Sequence, residues 1–112
     1  MITIEKLKDL GCDTDAGLTR CLGDASFYMG FLPDALDRSR YEKLETLIRE
    51  KDYDSAFETA HAIKGILATL ALDPILEPVS EMTEALRSRT DMDYSELLSR
   101  MWERFSLFEN EL

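Results

Sequence analysis

The chain contains a single histidine, His61, within the segment ETAHAIKGILATLAL that runs from Glu58 to Leu72. Lys64 follows three residues later and Gly65 four residues later, so both fall within one helical turn of the imidazole if the segment is helical. A neutral imidazole is a nucleophile that can carry a covalently bound group. The Lys64 ammonium disfavours a protonated imidazole and can pair with a bound anion. The spacing therefore predicts nucleophilic chemistry at His61.

A helical wheel of this segment, stepped at about 100° per residue, places His61 opposite an apolar stripe. The stripe consists of Ala56, Ile63, Ile66, Leu67 and Leu70. The residues within about 60° of His61 on the wheel are Phe57, Lys64, Gly65, Ala68 and Leu72. We therefore expect the apolar stripe to face the core and His61 to face solvent.

The neighbours of His61 on this face predict an approach by another protein. A glycine inside a helix costs about 0.5–1 kcal/mol relative to alanine, so Gly65 indicates a need for steric clearance beside the imidazole. Ala68, one turn further along, is also small. We expect Phe57 and Leu72 to be exposed apolar contacts for the partner, together with Ala68.

Plainer interpretations of the same residues remain open at this level. His61 could be a surface residue without chemistry, and Lys64 a solvated lysine on a charged helix. Close packing between helices is the usual alternative for an interior glycine. The wheel position of Gly65 disfavours that alternative, because it lies away from the apolar stripe.

Composition limits the class of protein. The 112 residues fit one domain, 1–112, and 45% of them are hydrophobic. The net charge of −10 disfavours nucleic acid and anionic membranes as partners. No apolar run approaches the roughly 18 residues of a membrane span, and the N-terminus lacks a signal-peptide layout, so we expect a cytoplasmic protein. Cys12 and Cys21 are expected to be free thiols, too few for a zinc site.

Hydrophobic periodicity of about 3.6 residues predicts an all-α fold. The short N-terminal helices are predicted to run from Ile4 to Leu10, from an Asp13 or Asp15 cap to Gly23, and from Asp24 with a kink or an early end at Pro33. Four longer helices are predicted at Ser39–Lys51, Tyr53–Leu72, Asp73–Arg89 and Tyr94–Glu111. The short connections between them favour an antiparallel four-helix bundle, with the short helices covering one end.

The segment AHAIKG, from Ala60 to Gly65, resembles the H-x-x-K-G motif of histidine-containing phosphotransfer (HPt) domains. The flanking segments DTDAGLTRCLGDASFY, YEKLETLIREKDYDSAFETAHAIKG and ALDPILEPVSEMTEALR resemble the same family in register, so the resemblance covers nearly the whole chain. It departs at Ala71, where many members of the family carry a glycine ten residues after the histidine.

This resemblance implies a bundle whose exposed histidine takes a phosphoryl group from a receiver-domain aspartate and passes it to another receiver. His61 would be the phosphorylation site, with Lys64 and Gly65 as supporting positions. The implied partners are response-regulator receiver domains and a sensor or hybrid histidine kinase. No cofactor of its own is implied, because Mg²⁺ belongs to the receiver.

Other functions are less favoured by the residues. The chain has no phosphate-binding glycine loop of the ATP-using classes, so we expect a monomeric phosphocarrier without an ATP site rather than an enzyme. A bundle that docks a receiver without phosphotransfer is the main alternative. The acidic pairs Asp91 with Asp93 and Glu109 with Glu111 could suggest a metal or acid–base enzyme, but they lack a second histidine. A histidine-bearing domain of a larger kinase is a third alternative.

Overall fold

The computed structural model of the protein describes residues 2–112, and its regular elements are all helices. These are α1 Ile4–Asp9, α2 Thr14–Arg20, α3 Ala25–Gly30, α4 Leu32–Ala35, α5 Arg38–Arg49, α6 Tyr53–Leu70, α7 Asp73–Arg87 and α8 Ser95–Glu109. The predicted all-α fold class is confirmed. None of the described helices is long and apolar enough to cross a membrane.

Aspartate side chains begin several of these helices. Asp13, Asp24 and Asp52 each accept a hydrogen bond from a backbone N–H in the first turn of α2, α3 and α6. These three caps match the sequence prediction. The sequence also predicts Asp73 as the N-cap of α7, with Pro74 at the first helical position, whereas in the structure Leu72 is the N-cap and Asp73 already belongs to the helix.

The helix that carries His61 lies at the centre of the fold. It packs against α2, α4, α5 and α7, and α7 in turn packs against α8. Aromatic contacts connect α8 back to α5, since the ring of Tyr41 lies 4.6 Å from Phe105 and 6.2 Å from Trp102, centroid to centroid. Along α8, the side chains of Leu98, Met101, Phe105 and Phe108 are buried, so this side of the helix belongs to the core.

The turn between α6 and α7 depends on a left-handed residue. Ala71 has φ 56° and ψ 43°, the conformation that glycine adopts most easily. The N–H of Leu72 donates to Leu67 O at 3.0 Å and that of Ala71 to Ala68 O at 3.2 Å, which is a Schellman motif. Position 71, where many members of the resembled family carry a glycine, therefore has the left-handed backbone that favours glycine, although alanine occupies it here.

This turn overturns one prediction. Leu72 is fully buried and is not an exposed contact for a partner. The helical wheel extended α6 to residue 72, whereas the helix ends at Leu70 and the left-handed residue turns the chain inward. Schellman turns commonly bury the side chain at this position against the preceding helix.

The N-terminal helices close over the C-terminal end of α6. Gly17 allows this approach, because a Cβ there would lie 2.6 Å from the carbonyl oxygen of Leu70. That oxygen accepts a buried hydrogen bond from the Tyr28 hydroxyl at 2.9 Å. The backbone N–H of Asp13 donates to Ala71 O at 3.3 Å. Polar groups that the helix end leaves unpaired are thereby satisfied.

Candidate functional site

His61 lies in the middle of α6 and is exposed, as the wheel predicted. Its imidazole stacks on the ring of Phe57, one turn earlier, with centroids 5.6 Å apart and planes inclined by 22°. Ile63 and Leu67, predicted for the opposite side, are buried. The amphipathic pattern of α6 therefore holds the imidazole in solvent and supports one of its faces with an aromatic ring.

Two arginines lie against the ring of Phe57. The guanidinium carbon of Arg87 is 5.0 Å from the ring centroid and that of Arg89 is 5.2 Å away. Both distances fit cation–π contacts. Arg87 ends α7, and Arg89 follows in a left-handed conformation with φ 52°. The end of α7 thus brings positive charge to the ring that supports His61.

These arginines were missed by reasoning from the sequence. They lie 26 and 28 residues after His61, and only the pairing of α6 with α7 brings them to Phe57. The available signal was basic residues at the end of a helix predicted to return beside α6. Such residues are common at helix C-termini, so the signal alone was not specific.

Lys64 lies on the same face but already has a partner. Its Nζ is 3.5 Å from Oε1 of Glu84 on α7. Glu84 also accepts hydrogen bonds from Nε and Nη2 of Arg87 at 3.3 and 3.4 Å. The bonds from Arg87, and secondarily those from Lys64, lower the pKa of the Glu84 carboxyl. One carboxylate thus holds two cations beside the histidine face.

Gly65 leaves open space beside His61. A Cβ built at this position meets no atom within 4 Å outside its own helix backbone and chain neighbours. Packing between helices therefore does not explain the glycine. The carbonyl oxygen of Gly65 accepts a hydrogen bond from the Thr69 hydroxyl at 3.0 Å. The structure of the chain itself therefore makes no steric demand for glycine at this position.

Ala68 continues the same face towards α2. It is half-buried, and its carbonyl oxygen accepts a hydrogen bond from Nη1 of Arg20. Both residues line an open cavity of about 370 Å³, together with Thr69, Asp73 and Leu76. Leu76 is half-buried on α7 and lies at this end of the face beside Ala68.

The acidic pairs noted in the sequence have structural contacts. Asp91 accepts a hydrogen bond from the Tyr53 hydroxyl at 2.8 Å, and Asp93 accepts one from the backbone N–H of Ser95 at 2.9 Å. Glu109 pairs with Arg38, and Glu111 pairs with Lys6. No cluster of three or more metal-ligating side chains occurs within residues 2–112. These acids do not assemble into a second site.

The arrangement around His61 suits a nucleophile that carries an anion. The imidazole is accessible from outside, and the absence of a side chain at Gly65 clears one flank. Lys64 and Arg87 supply positive charge on the other flank, on the side of α7. Such cations stabilise a dianionic group more strongly than a monoanionic one.

Comparison with known proteins gives one result. A family model described as "Hpt domain" matches residues 31–112, which include α4 to α8 and leave α1 to α3 outside. Searches of curated proteins and of solved structures return no match.

Proposed function

This chain belongs to the Hpt domain family, and we propose that it is a phosphorelay intermediate that accepts a phosphoryl group on His61. Hpt domains carry phosphoryl groups in phosphorelays and interact with receiver domains and kinases. The donor in our proposal is the phosphoaspartate of one receiver domain, and the acceptor is the aspartate of another. Residues 1–112 would act as a single, monomeric domain.

In the proposed reaction, the lone pair of His61 Nε2 attacks phosphorus in line with the aspartyl oxygen. The new N–P bond forms as the P–O bond breaks, and the electron pair of that bond leaves on the aspartate carboxylate. Transfer to the next receiver is the same step in reverse. Positioning of the reactants and stabilisation of charge account for most of the reduction in the activation barrier. The receiver would contribute Mg²⁺ to neutralise the phosphoryl oxygens.

The observation that carries this proposal is the accessibility of His61 at the centre of a cleared face. A receiver must bring its own acidic pocket to within bonding distance of the imidazole, and a side chain at position 65 would obstruct it. Phe57 supports the ring from the other side at 5.6 Å. Lys64 and Arg87 lie where they can attract the transferred group.

The packing of the long helices supports an antiparallel four-helix bundle as the scaffold. Successive members of the set α5 to α8 pack on one another, and Tyr41 and Phe105 connect the last to the first. Such a ring keeps α6 rigid while one of its sides remains free for a partner.

The experiment is to incubate the chain with a receiver domain carrying ³²P on its aspartate and to follow the label. Wild type should become labelled and His61→Gln should not, because glutamine is not a nucleophile of this kind. The label should be lost in acid and retained in alkali, as expected of an N–P bond. Phosphoramidate, a small phosphoryl donor, should label wild type without any receiver.

Equal labelling of wild type and His61→Gln would refute the proposal. If a receiver binds wild type and His61→Gln equally well but neither the receiver nor phosphoramidate labels the chain, the protein is an adaptor that docks receivers without phosphotransfer. Circular dichroism of His61→Gln provides the folding control. The exposed side chain of His61 makes a loss of structure unexpected.

A further inference from the structure

Glu84 pairs with two of the cations on the flank of the site that faces α7, Lys64 and Arg87. Its two carboxylate oxygens accept from Lys64 Nζ at 3.5 Å and from Nε and Nη2 of Arg87 at 3.3 and 3.4 Å. We propose that Glu84 competes with a phosphoryl group on His61 for these cations and so lowers the fraction of the carrier that stays phosphorylated. This inference rests on the proposed function and adds a regulatory residue to it.

The ion pairs of Glu84 are exposed enough for the two cations to leave it for another anion. The side chain of Glu84 is 59% exposed and that of Lys64 is 31% exposed. Ion pairs at such exposure are weak, because water screens the charges and the long side chains lose entropy on pairing. A stronger anion nearby can therefore draw the cations away. The phosphoryl group carries up to two negative charges, whereas the carboxylate carries one.

Both cations lie near His61, one on its own helix and one against the ring that supports it. Lys64 lies three residues after the histidine on α6, at a spacing that lets the two side chains meet. The guanidinium of Arg87 lies 5.0 Å from the ring of Phe57, which itself stacks on His61 at 5.6 Å. A phosphoryl group on the outer nitrogen of the imidazole would extend into the surroundings of these two donors, which Glu84 already holds.

Linkage fixes the sign of the effect. If a phosphoryl group weakens the pairing of Glu84 with Lys64 and Arg87, then Glu84 weakens retention of the phosphoryl group by the same factor. The transfer reaction is otherwise unchanged: an N–P bond forms on His61 and a P–O bond on aspartate breaks. Glu84 thereby favours a carrier that releases phosphate to the next receiver over one that stores it.

The test measures the equilibrium between phosphorylated carrier and phosphorylated receiver, mixed at equal concentrations with ³²P label. Glu84→Gln should raise the ratio of labelled carrier to labelled receiver by about twofold to fivefold, the range expected for exposed ion pairs. Glu81→Gln is the matched control. Glu81 lies one turn earlier on α7 but pairs with Arg100 at 2.9 Å, so its removal should leave the ratio unchanged.

A mutant cycle in which both cations are removed separates the effect of Glu84 on these cations from a general change in charge. In the variant Lys64→Ala with Arg87→Ala, the further change Glu84→Gln should no longer alter the ratio. The inference is overturned if Glu84→Gln matches wild type, if Glu81→Gln has the same effect, or if the effect persists without the two cations. Failure of wild type to take any label would instead refute the proposed function and this inference with it. Thermal denaturation confirms that each variant is folded.

Discussion

The imidazole of His61 stacks on the ring of Phe57 with centroids 5.6 Å apart and planes inclined by 22°. Both residues belong to α6 and are one turn apart, so the helix itself sets their spacing. Phe57 also receives the guanidinium groups of Arg87 and Arg89. This one ring therefore orients the histidine and holds positive charge near it.

We expect Phe57→Ala to slow phosphoryl transfer from a receiver by up to about tenfold, because a mispositioned nucleophile loses rate steeply. The arginines would also lose the ring against which they pack. Rapid-quench kinetics with labelled receiver measure the change. Phe27→Ala is the control, since it removes the same side chain from α3, where Phe27 is 49% exposed, whereas Phe57 is less exposed than the sequence predicted and packs partly against the core. Equal rates for wild type and Phe57→Ala would contradict the role assigned to the ring.

Gly65→Ala should affect stability and transfer in opposite directions. The new Cβ meets no neighbour, so the free energy of unfolding should rise by about 0.5–1 kcal/mol through helix propensity. Transfer from a receiver should slow, and Gly65→Leu should slow it further, because the added bulk faces the partner. Urea denaturation and labelling rates provide the two measurements.

Two comparisons make the Gly65 result specific. Labelling by phosphoramidate should be nearly unchanged in both variants, because the small donor does not need the cleared flank. Gly30→Ala, at another glycine whose added Cβ meets nothing, should leave transfer from the receiver unchanged. A Gly65→Leu variant that exchanges label as fast as wild type would remove steric clearance as the reason for the glycine.

Ala71→Gly should stabilise the protein by about 1 kcal/mol. Alanine at φ 56° bears the steric cost of the left-handed conformation, which glycine avoids. Ala62→Gly, at an exposed position with ordinary helical geometry in the same helix, should instead destabilise by about 0.5–1 kcal/mol. Chemical denaturation of the two variants gives both numbers, and a lower stability for Ala71→Gly would show that the turn does not favour glycine.

The pH dependence of stability should reveal the buried thiol of Cys12. Burial, with a smaller contribution from the nearby Asp73 carboxylate, raises the pKa of this thiol from 9.0 to about 12. The unfolded chain therefore releases the proton in a range where the folded chain keeps it, so stability falls as the pH rises above 9.0. The slope is at most about 1.4 kcal/mol per pH unit.

Denaturant titrations between pH 9.0 and 10.0 compare wild type with Cys12→Ala, because the tyrosines, whose pKa values are also raised in the folded chain, add to the slope of both proteins. Cys12→Ala should be less stable overall but should lose stability less steeply with pH across this window. The slope, not the starting stability, is the diagnostic quantity. Parallel slopes for wild type and Cys12→Ala would assign the pH dependence to other groups.

The sequence was sufficient for features that depend on local periodicity and capping. The wheel placed His61 in solvent because α6 follows an ordinary amphipathic pattern, and aspartate caps marked helix starts such as that at Asp52. It was wrong for Leu72, because a left-handed alanine is not distinguishable in sequence from a helical one. Arg87 and Glu84 were missed for a different reason, since their contacts depend on how α7 packs beside α6.

The bonds that α2 and α3 make to the end of α6 have a consequence for where this protein can be divided. The matched family segment starts at residue 31, but the hydroxyl that satisfies the Leu70 carbonyl belongs to Tyr28. A fragment cut at that boundary would uncover the last turn of the helix bearing His61 and strand a buried acceptor. The matched segment therefore does not include every residue that completes the end of the helix bearing His61.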